Sequence, residues 1–185
     1  MKNGEVLASG YVEALPGGDR VPIDDLIIAP GDTRFPLGVH QIELRINDGT
    51  NFPEGVFVSV EVIDTTAPSI SPVPSVTILW PPNHTLQPVT IQANAFDNGG
   101  GAIHLEVDVV SSEPPDADGD GNTIPDFYID SVDDDTGIIE LRLRSERVGK
   151  GDGRIYKITI TATDTSQNQS VAVVEILAPH DRRKK

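Results

Sequence analysis

Tyr156-Lys157-Ile158-Thr159-Ile160-Thr161-Ala162-Thr163 alternates apolar and polar residues without a break. In an extended chain successive side chains point to opposite faces, so Tyr156, Ile158, Ile160 and Ala162 share one face and the lysine and threonines the other. A helix would scatter the same apolar set around its circumference. The run therefore predicts a strand with one face buried and one in water.

The same period extends outward in both directions. Downstream, Val171 to Leu177 forms the last apolar run; upstream, Ile139, Leu141 and Leu143 alternate with Glu140, Arg142 and Arg144. Ile103, Leu105, Val107 and Val109 alternate with His104, Glu106 and Asp108, and Val89, Ile91, Ala93 and Ala95 with Thr90, Gln92 and Asn94. Near the N-terminus Ile42, Leu44 and Ile46 form one such series and Val56, Val58, Val60 and Val62 another. β-branched residues fill these runs and Gly, Pro, Asn and Asp separate them, which favours antiparallel strands with a solvated face. No amphipathic helical pattern competes, and the expected fold class is all-β: tandem immunoglobulin-like antiparallel β-sandwiches joined by a Pro-rich linker.

That linker is Asp64-Thr65-Thr66-Ala67-Pro68-Ser69-Ile70-Ser71-Pro72-Val73-Pro74, whose prolines restrict φ and remove backbone donors. It divides the 185 residues into a first module, 1–67, and a second, 68–181, followed by the basic tail 182–185. Sandwich modules commonly close at about 100 residues, so the first is short and the second ample. A short sandwich leaves strand edges open, and it reads either as a trimmed segment or as a filament subunit completed by strand addition from another copy.

With 14 basic against 29 acidic residues the net charge is -15, which repels nucleic-acid phosphates and anionic lipid and makes a divalent cation a natural counter-charge. The chain has no cysteine, so disulfides, thiolate metal sites and cysteine nucleophiles are excluded together. No stretch approaches the roughly 20 apolar residues of a membrane span. Arg182-Arg183-Lys184-Lys185 reads as a solvated tail.

The strongest local signal is Asp116-Ala117-Asp118-Gly119-Asp120-Gly121-Asn122-Thr123-Ile124-Pro125-Asp126, within a run from Glu113 to Asp135 that holds no lysine or arginine. Alternating Asp and Asn gather oxygen donors around one turn, and glycine allows the sharp bend that six to eight oxygen ligands around Ca²⁺ require. Asp116, Asp118, Asp120, Asn122 and Asp126 are the first candidate ligand set. The pattern resembles the calcium loops of thrombospondin type 3 and dockerin repeats, although Phe127 stands where an EF-hand loop carries Glu. A second candidate set gathers at strand ends: Asp97 with Asn98, and Asp164 with Asn168, which would meet at one pole of the sandwich. Asp and Asn also cap turns without a metal. Asp64, at the linker, is a third candidate, for a calcium site between modules like those of cadherins.

Phe35-Pro36-Leu37-Gly38, Ile46-Asn47-Asp48-Gly49-Thr50 and Val62-Ile63-Asp64-Thr65-Thr66-Ala67-Pro68 resemble the closing half of a hyalin-repeat module, an extracellular immunoglobulin-like fold. The second module resembles one found near the ends of large bacterial secreted proteins. The resemblance is carried by Trp80-Pro81-Pro82-Asn83-His84, Leu141 to Arg147, Gly151 to Tyr156 and Ala178-Pro179-His180-Asp181. These resemblances imply a secreted or cell-surface location and a supporting role. The partners they imply are other surface or matrix proteins or polysaccharide.

Catalysis finds no support in the residues. No Gly-x-Ser-x-Gly turn occurs, neither His84 nor His180 has a sequence-visible nucleophile beside it, and Gly99-Gly100-Gly101 lies between strands instead of opening a helix. The expected function is a non-catalytic, calcium-binding structural or adhesion module. The alternatives are a carbohydrate-binding accessory module of a secreted hydrolase and the strand-adding filament subunit.

Overall fold

The computed structural model describes residues 35–44, 55–116, 121 and 123–181, and the chain divides into two units, Met1–Asp64 and Thr65–Lys185. Among the described residues there is no helix; every regular element is a strand.

In the first unit, β1 (Gly38–Leu44) and β2 (Val56–Val62) form an antiparallel hairpin in continuous register from Gly38 opposite Val62 to Leu44 opposite Val56. Val56, Phe57, Val58 and Val60 are exposed among the described residues. The other residues of the expected first sandwich, including Ile46, Asp48 and the segment before Phe35, lie outside the described set.

The second unit carries seven strands in two antiparallel sheets. They are β3 (Val73–Pro74), β4 (Leu86–Gln92), β5 (His104–Ser111), β6 (Phe127–Asp133), β7 (Ile138–Arg144), β8 (Gly153–Thr163) and β9 (Gln169–Pro179). One sheet has the order β3-β4-β7-β6 and the other β5-β8-β9, the strand order of the seven-stranded constant-type immunoglobulin sandwich. The period-two series buries as expected. Val89, Ile91, Ile139, Leu141 and Leu143 from one sheet meet Leu105, Val109, Tyr156, Ile158, Ile160, Ala162, Val174 and Ile176 from the other.

The proline-rich segment runs along the edge of β4. Ser69, Ser71 and Ser75 donate their N–H groups to Phe96, Ala93 and Thr90 carbonyls at 2.8, 3.2 and 2.7 Å. Pro68, Pro72 and Pro74 have no N–H to donate, so pairing is intermittent, as edge positions tolerate. The chain then crosses to the opposite sheet. Leu79 N–H donates to Leu177 O at 2.8 Å and Leu177 N–H to Thr77 O at 3.0 Å, a parallel contact that buries Leu79 against the core.

The strand order defines two poles. At the first lie the residues ahead of β3, the β4–β5 loop, the β6–β7 turn and the β8–β9 turn. At the second lie the β3–β4, β5–β6 and β7–β8 connections and the end of β9. A clasp closes the first pole: His104 Nδ1 lies 2.8 Å from Asp134 Oδ2, and Asp134 Oδ1 accepts the Leu105 N–H at 2.9 Å, joining β5 to the β6–β7 turn of the other sheet.

Ile158 has no solvent exposure and sits at the middle of β8, between both partner strands. Ile158→Ala should lower the stability of this unit by about 2–5 kcal/mol through lost burial and a residual cavity. Urea unfolding followed through Trp80, the one tryptophan of the chain, measures it; a loss below about 1 kcal/mol would contradict this core placement.

Candidate metal centre

The inward register of β4 runs Val89, Ile91, Ala93 and, past the strand end, reaches Asp97; that of β8 runs Ile158, Ile160, Ala162 and reaches Asp164. Both series keep their parity beyond the last paired residue, so two facing strands from opposite sheets each deliver an aspartate to the end of the core. Asp97 and Asp164 are both buried, at 9% and 3% exposure. Asp64 stands one peptide bond ahead of the second unit. One carboxylate oxygen each from Asp97 and Asp164 lie within 4.8 Å of one another.

The two carboxylates differ in their support. Asp164 is tied by its own turn: Oδ1 accepts the Asn168 N–H at 2.8 Å and Oδ2 accepts the Asn168 side-chain amide at 2.9 Å. Burial raises the Asp164 carboxyl, but the hydrogen bonds from Asn168, Ser166 and Gln167 outweigh it and hold the group below the usual carboxylate range. Asn168 therefore orients Asp164 through its donors. Asp97 is the opposite case: both of its oxygens are buried and neither has a hydrogen-bond partner. A buried carboxylate without donors is costly, and a second carboxylate close by adds repulsion. An oxygen-binding cation removes both costs at once, and the all-oxygen donor set suits Ca²⁺ or Mg²⁺ better than metals that favour nitrogen or sulfur.

The acidic loop of the sequence reading is placed differently. Asp118, Asp120 and Asn122 lie outside the described residues, and Asp116 is exposed at the loop's leading edge. Asp126 is buried at the second pole, where its carboxylate pairs with the Arg154 guanidinium. Arg154 has no solvent exposure and gathers the ends of the loop around itself. Its Nε meets Glu113 Oε2 at 3.3 Å, its Nη2 donates to Pro114 O at 3.2 Å, and its Nη1 stands 3.6 Å from Glu146 Oε1. Glu146, also fully buried, accepts from Thr123 Oγ1. Burial pushes the Glu146 carboxyl up; Thr123 and Arg154 oppose the rise, and Asp126 adds to it.

Several of the motifs quoted from the second module meet here. Arg144 donates to His84 O and Pro125 O, each at 2.8 Å, and Ser145 Oγ donates to Pro81 O at 2.7 Å. The Tyr156 hydroxyl, its pKa pushed up by burial, donates to Arg144 O at 2.8 Å. Gly153, at φ +123°, passes so close to β9 that a Cβ would lie 2.6 Å from Ala178 O, which accounts for glycine beside Arg154. Arg154 itself was recoverable from parity, because it shares the inward register of Tyr156 and Ile158. Glu146, two residues past the end of β7, was not.

No protein-family model matches the chain, and no curated protein matches it at a significant level. The resemblances described above rest on their motifs alone.

Removing the Arg154 guanidinium would leave Asp126 buried without its ion-pair partner and Glu146 with only the more distant Arg144, at 3.9 Å. Arg154→Met should cost about 3–5 kcal/mol by urea unfolding at neutral pH. Repeating it with Asp126→Asn in the same chain should recover part of that loss, and no recovery would show that Arg154 acts through packing instead of charge.

Proposed function

We propose that this chain is a non-catalytic, calcium-binding structural module of a secreted or cell-surface protein, with its ion held by Asp97 and Asp164. The single observation that carries the reading is Asp97, whose two buried oxygens lack any hydrogen-bond donor and lie beside a second carboxylate. The two carboxylates supply up to four oxygens, and solvent would complete the six to eight that Ca²⁺ takes. The site's consequence is mechanical. Ser69, near the start of the second unit, pairs with Phe96, the residue before Asp97. A cation shared by the two carboxylates ties the β4–β5 connection to the β8–β9 connection, one from each sheet, and so resists unravelling and proteolysis at that end. The motif resemblances support the extracellular setting, where free calcium is plentiful enough to keep such a site filled.

The test is thermal unfolding after chelation, with Ca²⁺ or Mg²⁺ added back. A ligand bound only by the folded state adds about 2.7 kcal/mol at one hundred times its dissociation constant. Each kcal/mol moves the melting temperature by roughly 2–8 °C for domains from about 60 to 250 residues. The expected result is a Ca²⁺-selective rise in wild type and in Asp118→Ala/Asp120→Ala, and a lost rise in Asp97→Asn. In chelator, Asp97→Asn should melt above wild type, since it removes a buried charge that nothing offsets. Identical melts with and without Ca²⁺ would overturn the proposal, and a rise lost in the loop double variant but kept in Asp97→Asn would move the site to the acidic loop.

A further inference from the structure

Four asparagines belong to the described residues, and three of them are restrained. Asn83 Oδ1 accepts from the Thr85 N–H at 3.2 Å and from Thr85 Oγ1 at 2.7 Å. Asn94 Nδ2 donates to Ser71 O at 3.0 Å, and Asn168 Nδ2 donates to Asp164 Oδ2 at 2.9 Å. Each of these is followed by a residue with a Cβ: His84, Ala95 and Gln169. Asn98 differs on both counts. It is exposed, its side chain makes no hydrogen bond to any described residue, and Gly99 follows it, with Gly100 and Gly101 beyond at φ +76° and +97°.

We infer that Asn98–Gly99 is a spontaneous modification site, at which water converts the asparagine amide to a carboxylate without an enzyme. The Gly99 backbone nitrogen, having no Cβ beside it and flexible glycine on its far side, attacks the Asn98 Cγ. A carbon–nitrogen bond forms to close a five-membered imide, the bond from Cγ to the side-chain nitrogen breaks, and ammonia leaves with the proton from the Gly99 N–H. Water then opens the ring at either carbonyl, its hydroxyl going to carbon and its hydrogen to nitrogen, to give aspartate or its isoaspartyl isomer. The net change is one water consumed and one ammonia released, with no oxidation or reduction. A restrained side chain cannot swing onto the next nitrogen, which separates Asn98 from Asn83, Asn94 and Asn168.

The product adds a negative charge one residue from Asp97, whose buried carboxylate already lacks a donor. The modification stands independently of cation binding; only its effect on a bound ion rests on the calcium reading. Without a cation, a new carboxylate at position 98 adds repulsion at this pole, and with one it strengthens attraction. Ageing of the molecule then makes the pole more dependent on the cation.

The test is incubation of the full chain in warm neutral buffer with peptide mapping by mass spectrometry over time. Residue 98 should acquire the mass change of amide-to-carboxylate exchange at least about tenfold faster than Asn83, Asn94 or Asn168, a barrier difference of about 1.4 kcal/mol. Gly99→Ala should slow it. A residue 98 that changes no faster than Asn94 and Asn168 would overturn the inference. For the consequence, Asn98→Asp should melt below wild type in chelator and close the gap in excess Ca²⁺; equal melting in chelator would overturn the charge effect while leaving the mass measurement to decide the chemistry.

Discussion

The inward register of β8 is the constraint on which this sandwich depends. Arg154, Tyr156, Ile158, Ile160 and Ala162 all point between the sheets, and the same parity carries on to Asp164. β8 is the central strand of its sheet, paired along its whole length with β9 and over most of it with β5. A slip of one residue would turn the entire set outward, placing Lys157 and the threonines in the core and stranding both charged ends. Register, core and poles are therefore a single specification, and the charges at the two ends of the series are as much a part of it as the isoleucines.

At the second pole the protein compensates its own buried acids. One guanidinium offers donors in a fixed fork, and Arg154 distributes them to Asp126, Glu113 and the Pro114 carbonyl while standing within 4 Å of Glu146. Because Glu113 and Pro114 precede the acidic loop and Asp126 ends it, this network holds the feet of the loop together without any ion. Gly121 packs so close to His84 that a Cβ there would lie 2.8 Å from the ring nitrogen, and His84 is held in turn by Arg144. Buried ion networks of this kind add little net stability over apolar packing, yet they penalise any arrangement that separates their members. That is a physical reason for the clustering of Trp80 to His84, Leu141 to Arg147 and Gly151 to Tyr156 in the second module.

Legibility in the sequence followed packing. β4, β5, β7, β8 and β9 each bury one face against the opposite sheet; alternation announced the first four, and β9 showed as the apolar run Val171 to Leu177. β6 escaped notice because Phe127 to Asp133 is an edge strand whose Tyr128, Ile129, Asp130 and Ser131 are exposed, and because a register shift between Ile129 and Ser131 breaks its parity. β3 escaped because it is only Val73 and Pro74, paired with Gln92 and Ile91, in a segment whose prolines interrupt any alternation. Among site residues, Asp97 and Asp164 could be placed at one pole because each extends an inward series. Asp126 was read as part of a calcium loop from its spacing, while the partner that faces it, Arg154, is 28 residues away in sequence.

The two poles pose the same electrostatic problem with different answers. Each places buried carboxylates at the end of an apolar core, where water cannot solvate them fully. At the second pole Arg154 and Arg144 bring positive charge on short paths from β8 and β7. At the first, among the described residues, no basic side chain pairs with Asp97 or Asp164; Asp164 relies on amide donors, and Asp97 has none. A fold that spends a fully buried arginine on one end could have spent another on this one, and a lysine or arginine at position 98 or 168 would lie within reach. What stands there instead is asparagine, an oxygen-bearing, uncharged residue that leaves the negative potential intact. Retained negative charge around a donor-poor buried carboxylate is the arrangement expected where the compensating charge arrives from solution.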